Sequence, residues 1–173
     1  NFKIDGSLNI ASLQVKKIKL SAVTCNVTGT THDLMADLLA DLYSGKLRSK
    51  VTFNTVRNAL AVDVNLNGIN LAPLLKDSAD FDKVSGIANF SATLNSSGDS
   101  VAVIMQHLNG KGVLSVDNGV WHGVDMRYQV NRANAIINHR EMPTETNPPV
   151  TEFGRVTANF MINNGLISNN DFL

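Results

Sequence analysis

Residues 46–66 read KLRSKVTFNTVRNALAVDVNL and contain two runs in which apolar and polar side chains alternate. In the first run Leu47, Val51 and Phe53 share one parity, while lysine, arginine and threonine fill most of the other. The second run continues the pattern with four apolar residues of one parity: Leu60, Val62, Val64 and Leu66. A period of two residues is typical of a strand with one dry and one wet face. The stretch therefore predicts an antiparallel hairpin that turns at residues 55–58.

The same alternation recurs in four further segments: residues 18–22, 88–94, 112–116 and 156–162. Asparagine and glycine follow the last two, and both residues tolerate the positive φ of a tight reversal. We therefore expect turns at residues 117–119 and 163–165. The pattern predicts an α+β, mainly β protein, built as a twisted, largely antiparallel sheet.

Helical spacing appears in three short segments, which we expect to pack on part of one face of the sheet. Residues 101–108 carry apolar side chains at i, i+3, i+4 and i+7, with Asp99 or Ser100 as the N-cap. Residues 71–75 predict a single turn capped by Asn70, and residues 124–137 predict a helix beginning near Asp125. The three prolines that follow mark an irregular loop of about ten residues: Pro143, Pro148 and Pro149.

Residues 34–42, LMADLLADL, fit two structures equally well by pattern. Leu34, Leu38 and Leu42 are in register on a helix, and the even-numbered residues are all apolar, as on a strand. Local propensity alone favours the helix.

Composition argues against several classes of function. Fifteen basic and fifteen acidic residues balance, whereas a nucleic-acid-binding domain is usually strongly basic. The four histidines are far apart and lack metal-ligand spacing, and no phosphate-binding glycine loop or G-x-S-x-G nucleophile motif is present. We expect no metal, no cofactor, no catalytic residues and no nucleic-acid partner, and keep an enzyme with an unrecognised site as the least favoured alternative.

Two smaller features have competing interpretations. Cys25, the only cysteine, shares strand parity with Val23 and Val27, so we expect a small buried apolar residue. The basic row formed by Lys46, Arg48 and Lys50 suits a solvated strand face better than a site for anionic head groups.

Residues 110–126, GKGVLSVDNGVWHGVDM, resemble the AsmA family, in which a strand runs through a spaced pair of glycines into an apolar residue, an aspartate and a helix. Four more segments resemble that family in the same order: residues 42–47, 71–75, 84–86 and 151–165. Met126 replaces the usual leucine and Ser44 a frequent glycine. The resemblance implies that residues 34–42 form a strand, which we adopt.

The resemblance also implies a function. AsmA-like proteins are anchored in the inner membrane of Gram-negative bacteria, lie mostly in the periplasm, affect outer-membrane assembly and are similar to bridge-like lipid-transfer proteins. We therefore expect residues 1–173 to be one AsmA-like domain or fragment of a longer chain, whose N-terminal membrane anchor and further strands lie outside it.

From the residues themselves, six or more amphipathic strands with only three short helices leave part of an apolar face open. The favoured hypothesis is a non-catalytic module that handles phospholipid acyl chains on that face. The alternative is a protein-interaction or scaffold domain of envelope assembly, which pairs with neighbouring segments of its parent protein. The residues expected on the face, whether they contact lipid or form core beneath the helices, are Leu47, Val51, Phe53, Leu60, Val62, Val64, Phe90 and Phe160.

Overall fold

The computed structural model describes residues 2–169 and residue 171, which form ten strands and three helices. The strands are β1 (Lys3–Val15), β2 (Ile18–Thr30), β3 (Asp33–Leu42), β4 (Gly45–Asn54), β5 (Ala59–Asn70), β6 (Val84–Ser97), β7 (Asn109–His122), β8 (Val150–Phe153), β9 (Val156–Asn163) and β10 (Leu166–Ser168). The helices are α1 (Leu71–Ala79), α2 (Val101–Gln106) and α3 (Met126–Ile137).

All ten strands belong to one antiparallel sheet, and this confirms the mainly β, largely antiparallel prediction. Strands β1 to β7 follow one another in chain order, and β9 and β10 continue beyond β7. The long strand β7 pairs with β9 along its first half and with β8 along its last residues. Helix α2 and the β9–β10 turn lie at one end of the strands, called the α2 end, and α1 and α3 follow strands that end at the other, called the α1 end.

The hairpin predicted from residues 46–66 is confirmed as β4 and β5. Phe53 lies opposite Leu60, and Val51 lies opposite Val62, so the apolar residues of both strands share one face. The turn falls at residues 55–58, where Asn58 adopts φ 47°.

Residues 34–42 are confirmed as a strand, within β3. Leu34 pairs with Gly29 of β2 and with Phe53 of β4, and Leu38 is held in the same way between Cys25 and Ser49. Pairing on both sides along most of the strand provides partners for its backbone groups, and this tertiary context overrides the local preference for helix.

The three helices begin at the predicted caps. The side chains of Asn70, Ser100 and Asp125 each accept a hydrogen bond from the first turn of α1, α2 and α3. Helix α1 is longer than the single turn predicted, because Leu71 and Leu74 pack against a buried cluster on the sheet.

The turn predicted at residues 117–119 is wrong, because β7 continues through it to His122. The pairing of β6 with β7 shifts register between Ser85 and Ile87, opposite Asn118, which has φ 50°. Such a shift marks a β-bulge, which uses the same left-handed residue as a turn but keeps the strand going. Strand β1 was not predicted at all, since its apolar residues change parity after Ile10.

Little of the molecule is a closed core. The main cluster, at the α1 end, consists of Leu42, Ile69 and Ala88, and Ile69 is the one large side chain with under 2% exposure among the residues described. The accessible surface is 11885 Å², whereas a compact chain of 18.7 kDa exposes ~8,300 Å². The excess of about 3,600 Å² means that much of the sheet is open.

Candidate functional site: an open apolar face

Cross-strand pairing places all eight predicted residues on one face of the sheet. Leu47, Val51 and Phe53 of β4 lie opposite residues of β5 that share their face. Leu66 is in turn opposite Phe90 of β6. The same register carries the row beginning at Val64 through Ala92 and Gly112 to Phe160 of β9. The eight residues therefore lie on a single surface that spans five neighbouring strands, β4, β5, β6, β7 and β9.

The same face continues through β3, β2 and β1. Leu38 lies opposite Cys25, which lies opposite Leu8, and Ala36 and Val27 extend the neighbouring row. Together with the eight predicted residues, these side chains form the surface called the apolar face below; its further members are Ile4, Leu8, Ile10, Val23, Cys25, Val27, Leu34, Ala36, Leu38, Ala40, Leu66, Ala88, Ala92, Leu94, Leu114, Ala158 and Ile162.

The apolar face is neither covered nor fully exposed. Each of the eight predicted residues is half-buried, even those on central strands such as Val62 and Val64. Cys25, which we expected to be buried, is half-buried too. Side chains beneath a packed layer of helices would be buried, so the middle of this face is not an ordinary core.

Two of the three helices, α1 and α2, contact this face, one at each end of the strands. Helix α1 contacts β2, β5 and β6 at the buried cluster of the α1 end. At the α2 end, the hydroxyl of Ser96 donates to the carbonyl of Ile104 in α2, at 2.6 Å. Helix α3 contacts β8.

The opposite face of the sheet is polar and charge-balanced. Lys50 lies between Asp37 and Asp63, and Lys46 forms a 2.6 Å ion pair with Asp41. The basic row singled out in the sequence is thus interleaved with carboxylates on the neighbouring strands, as expected of a solvated face.

A groove of about 1070 Å³ runs across the strands at the α2 end, from β1 to β7 and the β9–β10 turn. Its lining follows the cross-strand row from Ile4 through Leu34, Phe53 and Leu60 to Ser96. The residues that precede and follow these along each strand, most of them polar, complete the lining. Of the eight predicted residues, Phe53 and Leu60 line it.

The family-like segments at residues 110–126 and 151–153 meet at one corner of the sheet. The Asp125 carboxylate is 5% exposed and accepts from Tyr128 N at 2.8 Å and from the Thr146 hydroxyl at 2.7 Å. These two donors, the Tyr128 N–H first, lower the pKa of the Asp125 carboxyl below its ordinary value. The Thr151 hydroxyl accepts from Met126 N and donates to the Val124 carbonyl. These side chains fix the start of α3 against β8.

Close packing explains why a glycine stands at position 119 in the same corner. Gly119 lies opposite Phe153, and a Cβ added to Gly119 would lie 1.9 Å from the phenylalanine ring. The alternation pattern did not reveal this contact, because the two residues are far apart in sequence. The glycine and the phenylalanine therefore have a structural role here.

Among the residues described, no group of three histidine, cysteine or carboxylate side chains is arranged to hold a metal ion. Two of the histidines have local partners: the His122 ring contacts Ser85 Oγ and the His107 ring contacts the Ser97 carbonyl, each at 3.0 Å. Fold and surface together define a class, the open antiparallel β-sheet proteins with one accessible apolar face.

The chain belongs to the AsmA family, whose pattern matches residues 2–172. At the level of the family, this membership indicates a role in the cell envelope and in outer-membrane biogenesis. Searches of curated proteins and of solved structures returned no match. Within the described part of the chain, no helix combines the length and apolar composition needed to cross a bilayer.

Proposed function

We propose that this domain is a non-catalytic module of a periplasmic protein, anchored in the inner membrane of a Gram-negative bacterium, that carries phospholipid between membranes with the acyl chains lying on the apolar face. The observation that supports this most directly is an apolar surface that continues across eight strands and has no covering layer over its middle. A surface of this size on a single chain marks a binding site for apolar partners.

The dimensions of the sheet suit an acyl chain. The eight neighbouring strands of the apolar face, at ~4.8 Å spacing, extend about 34 Å, more than twice the ~15 Å depth of one leaflet of a bilayer. Each methylene group that leaves water contributes about 0.8 kcal/mol, and no directional contact is needed. An uninterrupted surface would let a chain slide from strand to strand with little change in free energy, as transport requires.

Co-purification tests the proposal. The domain, isolated from bacterial membranes, should retain phospholipid detectable by native mass spectrometry. Replacing Val62 with aspartate places a charge in the middle of the apolar face and should abolish the bound lipid. The matched control is Asn65→Asp, three residues along the same strand on the opposite, exposed face and outside the groove, which should keep it. Circular dichroism establishes that both variants are folded, and loss of lipid in both, or in neither, would contradict the proposal.

A scaffold domain is the second candidate, and the edge of the sheet favours it. Strand β1 is thirteen residues long, and only one of its edges is paired, with β2, among the residues described. Exposed backbone donors and acceptors on a long edge strand can pair with another chain segment. Lipid-free protein that binds neighbouring segments of its parent protein would support this function instead.

A further inference from the structure

Helix α3 carries an apolar stripe that points away from the rest of the domain. Tyr128 and Ala135, seven residues apart, form its inner side, and Ala135 is 7% exposed. Met126, Val130 and Ile137 follow the i, i+4, i+11 positions of one stripe on the other side, with 51%, 65% and 76% of their surfaces exposed. An amphipathic helix normally turns its apolar side inward, so this orientation needs a partner outside the domain.

The same helix is a local concentration of positive charge. Arg127 and Arg132 lie on the helix and Arg140 lies three residues past its end, and residues 126–140 contain no aspartate or glutamate, although the whole chain is neutral. None of the four ion pairs found among the described residues involves these arginines. Acidic residues border this stretch: the buried cap Asp125, whose carboxylate accepts from Tyr128 and Thr146, precedes it, and Glu141 and Glu145 follow it. The charge on α3 is therefore complementary to an anionic surface.

We propose that α3 is a docking helix for an anionic phospholipid bilayer. The stripe of Met126, Val130 and Ile137 enters the head-group boundary, while Arg127, beside the stripe, and Arg132, further round the helix, contact lipid phosphates. An apolar stripe on a basic helix of low overall hydrophobicity is the pattern of a helix that lies in a membrane interface. The corner formed by Asp125, Thr146 and Thr151 holds the start of the helix in place, so the stripe is presented without folding on contact.

Vesicle flotation with the 173-residue chain tests this proposal. Vesicles containing about a quarter phosphatidylglycerol should bind the protein, and phosphatidylcholine vesicles should bind it much less. The double variant Val130→Asp/Ile137→Asp should weaken binding by about tenfold or more, because a charge replaces each apolar side chain that the membrane would bury. Arg127→Gln and Arg132→Gln should each weaken it by about fivefold, the equivalent of ~1 kcal/mol per basic residue at an anionic surface.

Two controls separate this inference from lipid transport. Val56→Asp adds the same charge at an exposed valine in the β4–β5 turn and should leave vesicle binding unchanged. Val62→Asp, which blocks the apolar face, should also leave it unchanged, so failure of one proposal is distinguishable from failure of the other.

Three results would overturn the inference. They are the absence of binding to anionic vesicles, equal binding by the stripe variants and the unaltered chain, and a dimer in sedimentation experiments that the stripe substitutions dissociate. The last result would assign the stripe to a second copy of the chain.

Discussion

At the level of single residues, the corner between β7, α3 and β8 is the most constrained part of the molecule. Gly119 faces the ring of Phe153 with no room for a Cβ, and Thr151 bridges the Val124 carbonyl and the Met126 amide. Close packing and satisfied backbone groups, rather than chemistry on a substrate, account for these residues.

Gly119→Ala should destabilise the domain by about 1–3 kcal/mol, because the added methyl group overlaps the Phe153 ring. Urea unfolding monitored by circular dichroism measures the change. Gly6→Ala is the matched control, since a Cβ there meets nothing within 4 Å, and it should change the stability by less than about 0.5 kcal/mol. Equal effects of the two substitutions would show that the ring contact is unimportant.

Asp125 should make the stability of the domain depend on acid pH. Its folded-state pKa is lowered by the Tyr128 N–H and the Thr146 hydroxyl, so its contribution is present above about pH 4 and is lost as the pH falls through the folded pKa. Asp125→Asn can still cap the helix but carries no charge. Between about pH 5 and about pH 2, the melting temperature of the variant should therefore fall less than that of the unaltered chain. Identical pH profiles would count against a charged cap.

At the level of elements, helix α1 and the strands beneath it form the best-packed unit. Ile69 lies with Leu42 and Ala88 under Leu71 and Leu74 of the helix. The Tyr43 hydroxyl adds a 2.7 Å bond to Asp77 of α1, and burial, followed by this bond, raises the pKa of Tyr43. We therefore expect this end of the sheet to contribute most to the stability of the domain.

Truncating Ile69 should show that this unit stabilises the whole sheet. Ile69→Ala should cost about 2–5 kcal/mol in the free energy of unfolding, and Ile69→Val about 0.5–1.5 kcal/mol, in proportion to the cavity created. Denaturant titration measures both. The control is Val56→Ala, in an exposed turn, which should be close to neutral. A small effect of Ile69→Ala would mean that the cluster is not a core.

At the level of the whole molecule, the large exposed area makes the apolar face of the sheet accessible. A surface about 3,600 Å² larger than that of a compact chain leaves the apolar face within reach of a ligand. Cys25 lies on this face between Leu8 and Leu38, and it is the only cysteine. The reactivity of its thiol therefore reports whether a ligand covers the apolar face.

Loading the domain with phospholipid should slow alkylation of Cys25, because acyl chains on the apolar face restrict access of the reagent to the thiol. The rate is measured with a maleimide reagent before and after incubation with lipid. The control is Asn26→Cys in a Cys25→Ser background, which moves the thiol to the exposed opposite face of β2. Its rate should not change, and equal protection of both thiols would contradict binding on one face.

The local features of the fold were predictable from sequence, because each depends on neighbours in the chain. Alternation identified β4 and β5, and the side chains of Asn70, Ser100 and Asp125 marked where the helices begin. The apolar face was predictable in part for the same reason, since strand parity assigns each residue to a face.

Other features needed the partner strands. Asn118 suits a turn or a bulge equally well, and only the pairing of β7 with β6, β8 and β9 keeps the strand going. Strand β1, with its change of parity, is defined by its pairing with β2. Residues 171–173, which follow the start of another strand-like alternation in the sequence, lie largely outside the described residues.

The sequence by itself determined the alternation, the helix caps and the kind of face each strand presents, because these properties are set within a few residues. Only the tertiary structure decided that the faces join across eight strands, that α1 and α2 contact this face at its ends, and that the stripe of α3 points outward. Those outcomes depend on register and on contacts between residues far apart in the chain, which no local pattern records.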